Sequence, residues 1–483
     1  MGETARQQVV FLRSYLGREI ARKWAYILIS VALLIILSIL SPPQGLNTAG
    51  LRAIGVLAMA VMLWVTEVLS PVVTGLLIMV LLPLLKVIDF SQSLLGFADS
   101  SIWLLIGVFI LSAAMVKTGF DRRLAFSLIR LARADARRTI YMVIVTMMIL
   151  TFIIPTSAGR SALMVPICLG IANAMALKPG SNVAKAMFIA VPYISLVFSS
   201  SLMTGALSMV YAVGLFQKVA GYSWNYLSWF VVMFPGALIV SLLVGPILLK
   251  IFPPEIKTLH EGASYIEGEL KKLGQPSKDE IKIALLFFLM LLLWVTNFLH
   301  HLPVALLSLA VAVLVFLPGI ELITWKEAAQ KIDWGTVVLF GSSLALAGAL
   351  KESGAVDWLA RIAFGWAKGF GPATMATFVL VITALVRFGF NSVLASTTTM
   401  LPVVMAAAAT LGINPVWLGM ITIIGSDLCL CMPTQSPTNL ATYATGYYSI
   451  GDMFKAGIWV SLALVIVTVA LAMFYWPLVG LTP

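Results

Sequence analysis

The sequence predicts an all-α polytopic membrane protein of about eleven transmembrane helices, arranged as two inverted-topology repeats that each contain a re-entrant helical hairpin. Three observations carry that expectation: an apolar composition, hydrophobic runs of spanning length along nearly the whole chain, and segments of the first half that recur in order in the second.

Of the 483 residues, 61% are hydrophobic and 11% charged, and the mean hydropathy of +1.03 lies far above the balance of a water-soluble domain. A helix needs roughly 17 to 25 apolar residues to cross about 30 Å of hydrocarbon. Such runs occur at 24–41, 51–68, 70–88, 102–118, 186–216, 227–251, 283–299, 303–319, 335–350, 416–446 and 457–479. Residues 1–23 carry Arg6, Arg13, Arg18, Arg22 and Lys23 against Glu3 and Glu19. The apolar run that follows has no small-residue cleavage site, so it reads as a retained first span behind a cytoplasmic N-terminal segment.

Several functions are excluded early. The 31 Lys and Arg against 20 Asp and Glu sit in short inter-span loops, where they orient a membrane protein. No continuous basic patch with interleaved aromatics offers itself to nucleic acid. Cys168, Cys429 and Cys431 lie in apolar segments and form no ligand set with His260, His300 and His301, which speaks against a disulfide scaffold, zinc or membrane haem. A GxxxxGK phosphate loop is absent, and the spans lack the titratable pairs of a membrane enzyme. No catalytic residues and no cofactor are expected.

The internal repeat begins with Leu-Trp-Val-Thr, at 63–66 and again at 293–296. LLIGVFILSAAMVKTGFDRRLA (104–125) resembles VLFGSSLALAGALKESGAVDWLA (338–360), with Gly107 on Gly341 and Lys117 on Lys351. Met164 and Pro166 then fall on Met400 and Pro402, and Tyr222-Ser223 on Tyr448-Ser449. Offsets of 226 to 236 held in order through these segments mark a duplicated unit. The polar stretch 253–282 divides the copies as a cytoplasmic linker, leaving 24–252 and 283–483 as the two halves. An odd number of crossings in the first copy inverts the second. Charge agrees: 121–138 holds six Arg against two Asp, and its counterpart 351–371 only three Lys or Arg against two acids, which puts the first on the cytoplasmic side. Inverted repeats with interrupted hydrophobic segments at matching places are the pattern of a secondary transporter whose site lies near the midplane.

Two apolar stretches, 139–177 and 372–412, are too long for one crossing and are broken in the middle by small polar residues. Backbone that turns at membrane depth survives only inside protein or beside a wet cavity. PTSAGRSA (155–162) and GFNSVLASTTT (389–399) therefore read as hairpin tips, whose helix N-termini would favour an anion. SLVFSSSLMTGALS (195–208) and GSDLCLCMPTQSPTNLATYATG (425–446) place breaks at corresponding positions in two further spans. The candidate substrate-binding residues are Thr156, Ser157, Arg160 and Ser161 on the first tip, Asn391, Ser392, Ser396 and Thr397 on the second, and Thr438 and Asn439 in the last broken span. Intramembrane charges need partners. For Arg160 three roles stand open: substrate contact, a structural pair, or a solvated hairpin end. Arg387 and Asp427 form a candidate structural or coupling pair. Glu67, at a span end, reads as an interfacial acid.

With these residues in place, the chain resembles the divalent anion/sodium symporter family, carriers of dicarboxylates, citrate or sulfate. The likeness covers nearly the whole sequence and is most specific at the tips, at the MVP and MLP that follow them, and in PTQSPTNLATYATGYYSIGDMFKAG. It implies eleven spans, two opposed hairpins, a scaffold and a mobile transport domain, a homodimer, elevator-type movement and a site in the plasma (inner) membrane. One departure stands out. The family's tips read Ser-Asn-Thr, whereas the matching residues here are Thr156-Ser157-Ala158 and Ser392-Val393-Leu394. Sodium is thus an expectation of the resemblance that the tip residues oppose, because Val393 and Leu394 bring no side-chain oxygen. The sequence favours a carrier of small di- or tricarboxylates or a related divalent anion, run as a sodium-independent exchanger. A sodium-coupled symporter or an anion channel of the same fold are the alternatives.

Overall fold

The computed structural model describes residues 2–483, with side chains from Glu19 onward; the charges expected on Glu3, Arg6, Arg13 and Arg18 lie outside the described side chains. Helices dominate, and among the described residues nine are long and apolar enough to span a bilayer, beside four shorter apolar helices. Some expected spans are shorter than the hydropathy suggested: 70–88 becomes the helix Pro71–Leu84 and 303–319 the helix Val304–Leu314. Each run ends in a turn whose residues are still apolar, and hydropathy alone does not register that.

The chain forms two packed units, which cut across the two sequence halves: Met1–Ala98 with Val338–Leu359, and Asp99–Val337 with Ala360–Pro483. In the first, the helix Thr48–Thr66 is capped by Asn47, whose side chain accepts from the Gly50 amide at 2.6 Å. Gly75 of Pro71–Leu84 lies so close to Ser342 and Leu339 that a Cβ would meet the Ser342 hydroxyl. The second unit repeats that contact with the halves exchanged: Gly107, in the helix Ser100–Thr118, abuts the backbone of Ser308 in Val304–Leu314. Reciprocal contacts of this kind are what a duplicated unit produces.

The second unit holds both hairpins, and its two longest helices give it a ruler. Tyr226–Ile251 and Ile450–Phe474 run antiparallel. At one end Tyr475 and Trp476 donate to the carbonyls of Val231 and Val232, at 2.9 and 3.1 Å. At the other, Lys185 pairs with Asp452 at 3.0 Å and covers the Phe252 ring. This second end also carries the arginine-rich segment, since the Ala136 amide donates to the Lys257 carbonyl at 2.9 Å.

The first hairpin, Ala136–Ile153 and Ser157–Ala174, starts and finishes at that arginine-rich end. Beyond the Ala136 bond, the Leu259 amide donates to Ala134 at 2.6 Å, and the Gly262 amide reaches the Met175 sulfur at 3.2 Å. Residues 257–262 thus hold both of its ends. The second hairpin, Pro372–Arg387 and Val393–Leu411, occupies the opposite end. Its return arm passes through three residues into Pro415–Ser426, where Trp417 donates to Ala472 near the far terminus of Ile450–Phe474. Its outgoing arm follows Pro415–Ser426 in the same direction, with Thr383 against Gly425 and Arg387 bonded to Ser426. The two hairpins enter from opposite ends, as an inverted repeat requires.

Between them run two broken spans. Asn182–Val197 begins at the arginine-rich end, breaks over 198–206 and continues as Leu207–Ala220. Pro415–Ser426 begins at the other end, breaks over 427–436 and continues as Pro437–Tyr443. Each hairpin's return arm packs on the broken span of the other half: Ser157–Ala174 on Pro437–Tyr443, and Val393–Leu411 on Leu207–Ala220.

The expected linker is more structured than its composition suggested. Within 253–282 the helix His260–Leu273 packs on the first hairpin and on the helix Phe120–Arg130. Tyr265 meets Phe126 edge-on, and Arg122 and Arg123 pair with Glu269 and Glu280 at 2.7 and 2.9 Å. Ala263, Ile266 and Tyr265 supply an apolar stripe that polarity averaged over the segment conceals.

Candidate anion-binding site

Both hairpin tips are cut by the same local chemistry. Pro155 lacks an amide donor, and Thr156 takes an extended conformation that ends one helix and caps the next, its hydroxyl accepting from Gly159 at 3.1 Å. Ser392 repeats this on the second tip, accepting from Ala395 at 3.3 Å. Each return arm therefore starts inside the protein with first-turn amides that no helical carbonyl can satisfy. The partial positive charge of each N-terminus stays at the tip.

Arg160 lies one turn into the first return arm and is fully buried. Its Nη1 donates to the carbonyls of Ile154 at 2.7 Å and Gly205 at 2.9 Å. Nη2 donates to the Ser195 carbonyl at 2.8 Å and the Ser157 hydroxyl at 3.2 Å, and Nε to the Ser195 hydroxyl at 3.2 Å. All five N–H groups of the guanidinium are thereby used. The side chain ties the tip to both edges of the break at 198–206.

Arg387, equally buried, does the same in the second half. It donates to the carbonyls of Ser426 at 3.0 Å, Phe390 and Gln435. The acceptors correspond: Ile154 to Phe390, Ser195 to Ser426 and Gly205 to Gln435, at offsets of 236, 231 and 230. The arginines themselves do not, since the counterpart of Arg160 is Ser396 and that of Arg387 is Thr151. Two non-equivalent side chains pin equivalent backbone.

Asp427 closes the second broken span's first half and is buried. Neither of its carboxylate oxygens has a hydrogen-bond partner. The neighbouring Ser199 hydroxyl donates instead to Leu196 at 2.6 Å. Asp427 feels the charges of Arg387 and Arg160 together, which brings the two tips and the two breaks into one neighbourhood. It forms no ion pair with either within 4.0 Å, so the expected Arg387–Asp427 pair is replaced by a carboxylate set between two braces.

The other expected residues divide by what their polar atoms do. Ser396 and Thr397 both turn back to the Val393 carbonyl at 2.9 Å, inside their own helix. Thr438 bonds the Ser436 hydroxyl. Asn439 donates to the carbonyls of Cys429 at 2.7 Å and Met432 at 2.9 Å, which holds the second break open. The Asn439 and Asn391 carboxamide oxygens and the Ser161 hydroxyl are buried without a partner. Substrate contact by Arg160 finds no support here, because no donor is left over. Ser195, Gly205 and Gln435 were not singled out by sequence reasoning. Their signal is weak, since each serves through backbone carbonyls that any residue carries.

Residues 21–482 match the sodium:sulfate symporter transmembrane region. The chain belongs to this family of membrane transporters. Among its relatives is a protein of Cupriavidus necator described as a membrane protein, 27% identical over 95% of this chain and 93% of the other. The sodium-dependent dicarboxylate transporter SdcS of Staphylococcus saprophyticus is 26% identical over 92% of this chain and 90% of its own. Two solved structures share the fold at low identity. The Alcanivorax borkumensis YdaH transporter has a TM-score of 0.57 at 16% identity, covering 81% of this chain and 88% of its own. Neisseria gonorrhoeae MtrF also has a TM-score of 0.57, at 15% identity over 80% and 82%. As a sodium:sulfate symporter family member, the chain is a multi-pass helical transporter whose broken helices match the secondary-transporter pattern.

Proposed function

We propose that this symporter-family member is a secondary-active carrier of small di- or tricarboxylates, or a related divalent anion, running as a sodium-independent exchanger. The reading is supported by two capped helix N-termini from opposed hairpins, whose arginines both act on Asp427, and by the buried Ser161 hydroxyl that has no protein partner. An anion there is received by the first-turn amides near Thr156, Ser157, Asn391 and Ser392. Ser161 adds a buried hydroxyl that no protein group engages. The paired N-termini suit a cargo with a negative group at each end. The relatives named for dicarboxylates fit the same chemistry.

Sodium appears in the names of the family and of SdcS, and the residues do not fit it. The carbonyls at both breaks, which would supply cation ligands in a broken-helix carrier, already accept from Arg160 and Arg387. The buried carboxylate of Asp427 answers the two guanidiniums. Two guanidiniums against one carboxylate leave a net positive charge to meet the anion, and anion-for-anion exchange needs no external cation. If a coupling ion is used, Asp427 is the group that could carry a proton.

The carrier works by moving its anion site as a body past a fixed scaffold, as a homodimer in the plasma membrane with the N-terminus cytoplasmic. The test is uptake of labelled succinate, citrate and sulfate into proteoliposomes without sodium. Unlabelled substrate inside should accelerate it. Strict dependence on a sodium gradient would refute the exchanger, and no trans-acceleration would point to a channel.

A further inference from the structure

We infer that the guanidiniums of Arg160 and Arg387 are resident cations, built into the two oxygen cages that a sodium-driven carrier of this architecture would fill from solution. This rests on the proposed anion site but concerns what holds it together. Each cage is assembled from a hairpin-tip carbonyl and the two edges of a helix break: Ile154, Ser195 and Gly205 around Arg160, Phe390, Ser426 and Gln435 around Arg387. Three carbonyls and two hydroxyls converge on Arg160. Carbonyls freed at helix breaks are the groups that coordinate a hard monovalent cation in broken-helix carriers, and here they meet a planar donor fork instead.

The symmetry carries the inference further than either arginine alone. The carbonyls of the two cages lie 236, 231 and 230 positions apart, within the range of the repeat's offsets, yet the cations reach them from different arms, one from the return helix of its hairpin and one from the outgoing helix. A duplicated arginine would sit at matching positions. Equivalent oxygens filled from non-equivalent positions indicate that the cages belong to the repeat and the arginines were supplied to each separately. A guanidinium cannot leave, so both tips stay braced whatever the sodium concentration, and each anion N-terminus has a fixed positive charge behind it. Asp427, in reach of both, offsets part of that charge and lessens the repulsion between two buried cations.

The experiment reads stability, not transport, so it is independent of the exchange reading. The purified full chain is heated in sodium chloride and in choline chloride at equal ionic strength. The wild type should melt at the same temperature in both. Arg160→Ser and Arg387→Ser, which empty one cage each, should melt lower in choline and regain several degrees specifically in sodium, by linkage of folding to ion binding. Arg160→Lys keeps a cation in place and should stay indifferent to sodium. A sodium-specific rise in the wild type overturns the inference, as does a folded serine variant that ignores sodium or a lysine variant that responds as serine does. Should both serine variants fail to fold, the wild-type and lysine measurements still decide it. If stability behaves as expected but sodium-free exchange fails, the cages stand and only the mode of coupling is revised.

Discussion

Arg160 on the first hairpin donates from Nη1 to the carbonyl of Gly205, across the break of a neighbouring span, at 2.9 Å. The bond exists because Gly205 can turn its backbone where a side chain would not fit: a Cβ there would run into the Ser199 carbonyl. The brace and the glycine are one device, an inward carbonyl held by a buried cation.

Gly205→Ala should therefore damage the site through the backbone. The added methyl forces the 199–205 turn open, at a cost of about 1 to 3 kcal/mol, and pulls the carbonyl from Arg160. The expected outcome is a folded protein with a lowered melting temperature and a severe loss of uptake. Unchanged transport would show that the turn tolerates displacement.

Ser161→Ala tests an anion contact, and Asn439→Ala tests the break beside it. Ser161 presents a buried hydroxyl that the protein leaves unengaged, whereas Asn439 has given its amide hydrogens to Cys429 and Met432 and keeps only an acceptor oxygen, which offers an anion nothing. A hydrogen bond to a charged group contributes about 1.5 to 3 kcal/mol, so Ser161→Ala should weaken substrate binding by roughly ten- to a hundredfold. Asn439 also ties down Cys429 and Met432, so its replacement should lower stability too. Isothermal titration separates the two: a Ser161→Ala affinity equal to wild type removes that hydroxyl from the site.

Gly170→Val should release the helix His260–Leu273 from the first hairpin. Gly170 faces the Tyr265 ring with no room for a Cβ. Limited proteolysis should then cut within 253–282 faster than in the wild type, while the hairpin tip keeps its cap. Equal cleavage rates would mean the helix is held by Arg122 and Arg123 alone.

A pH prediction attaches to Glu327, outside the spans. Its hydrogen bond from Lys117, at 2.7 Å, together with bonds from the Thr324 amide and hydroxyl, brings its carboxyl down to about 2. A lowered folded-state value stabilises above the unfolded carboxylate range, and the contribution disappears as pH falls from about 4.3 toward 2. The melting advantage of wild type over Glu327→Gln should be present at neutral pH, small because both partners are exposed, and should shrink through that window. High salt should reduce it as well.

The legible part of this protein was whatever depends on the order of polar and apolar residues along the chain. Breaks at Pro155 and around Pro433, the hairpin stretches 139–177 and 372–412, and the repeat itself follow from local chemistry: a proline without a donor, a capping hydroxyl, a run too long for one crossing. Arg160, Arg387 and Asp427 were identifiable as costly charges in an apolar setting. Their partners were not. Whether a buried guanidinium faces cargo or carbonyls depends on segments 35 to 48 residues away in sequence, and a carbonyl acceptor leaves no mark in residue identity. The sequence alone determined a duplicated membrane protein with interrupted helices, because burial and helix breaking act residue by residue. Only the tertiary structure decided that both arginines brace equivalent oxygens and that hairpins from opposite ends share one neighbourhood, because those facts belong to atoms that the chain brings together by folding.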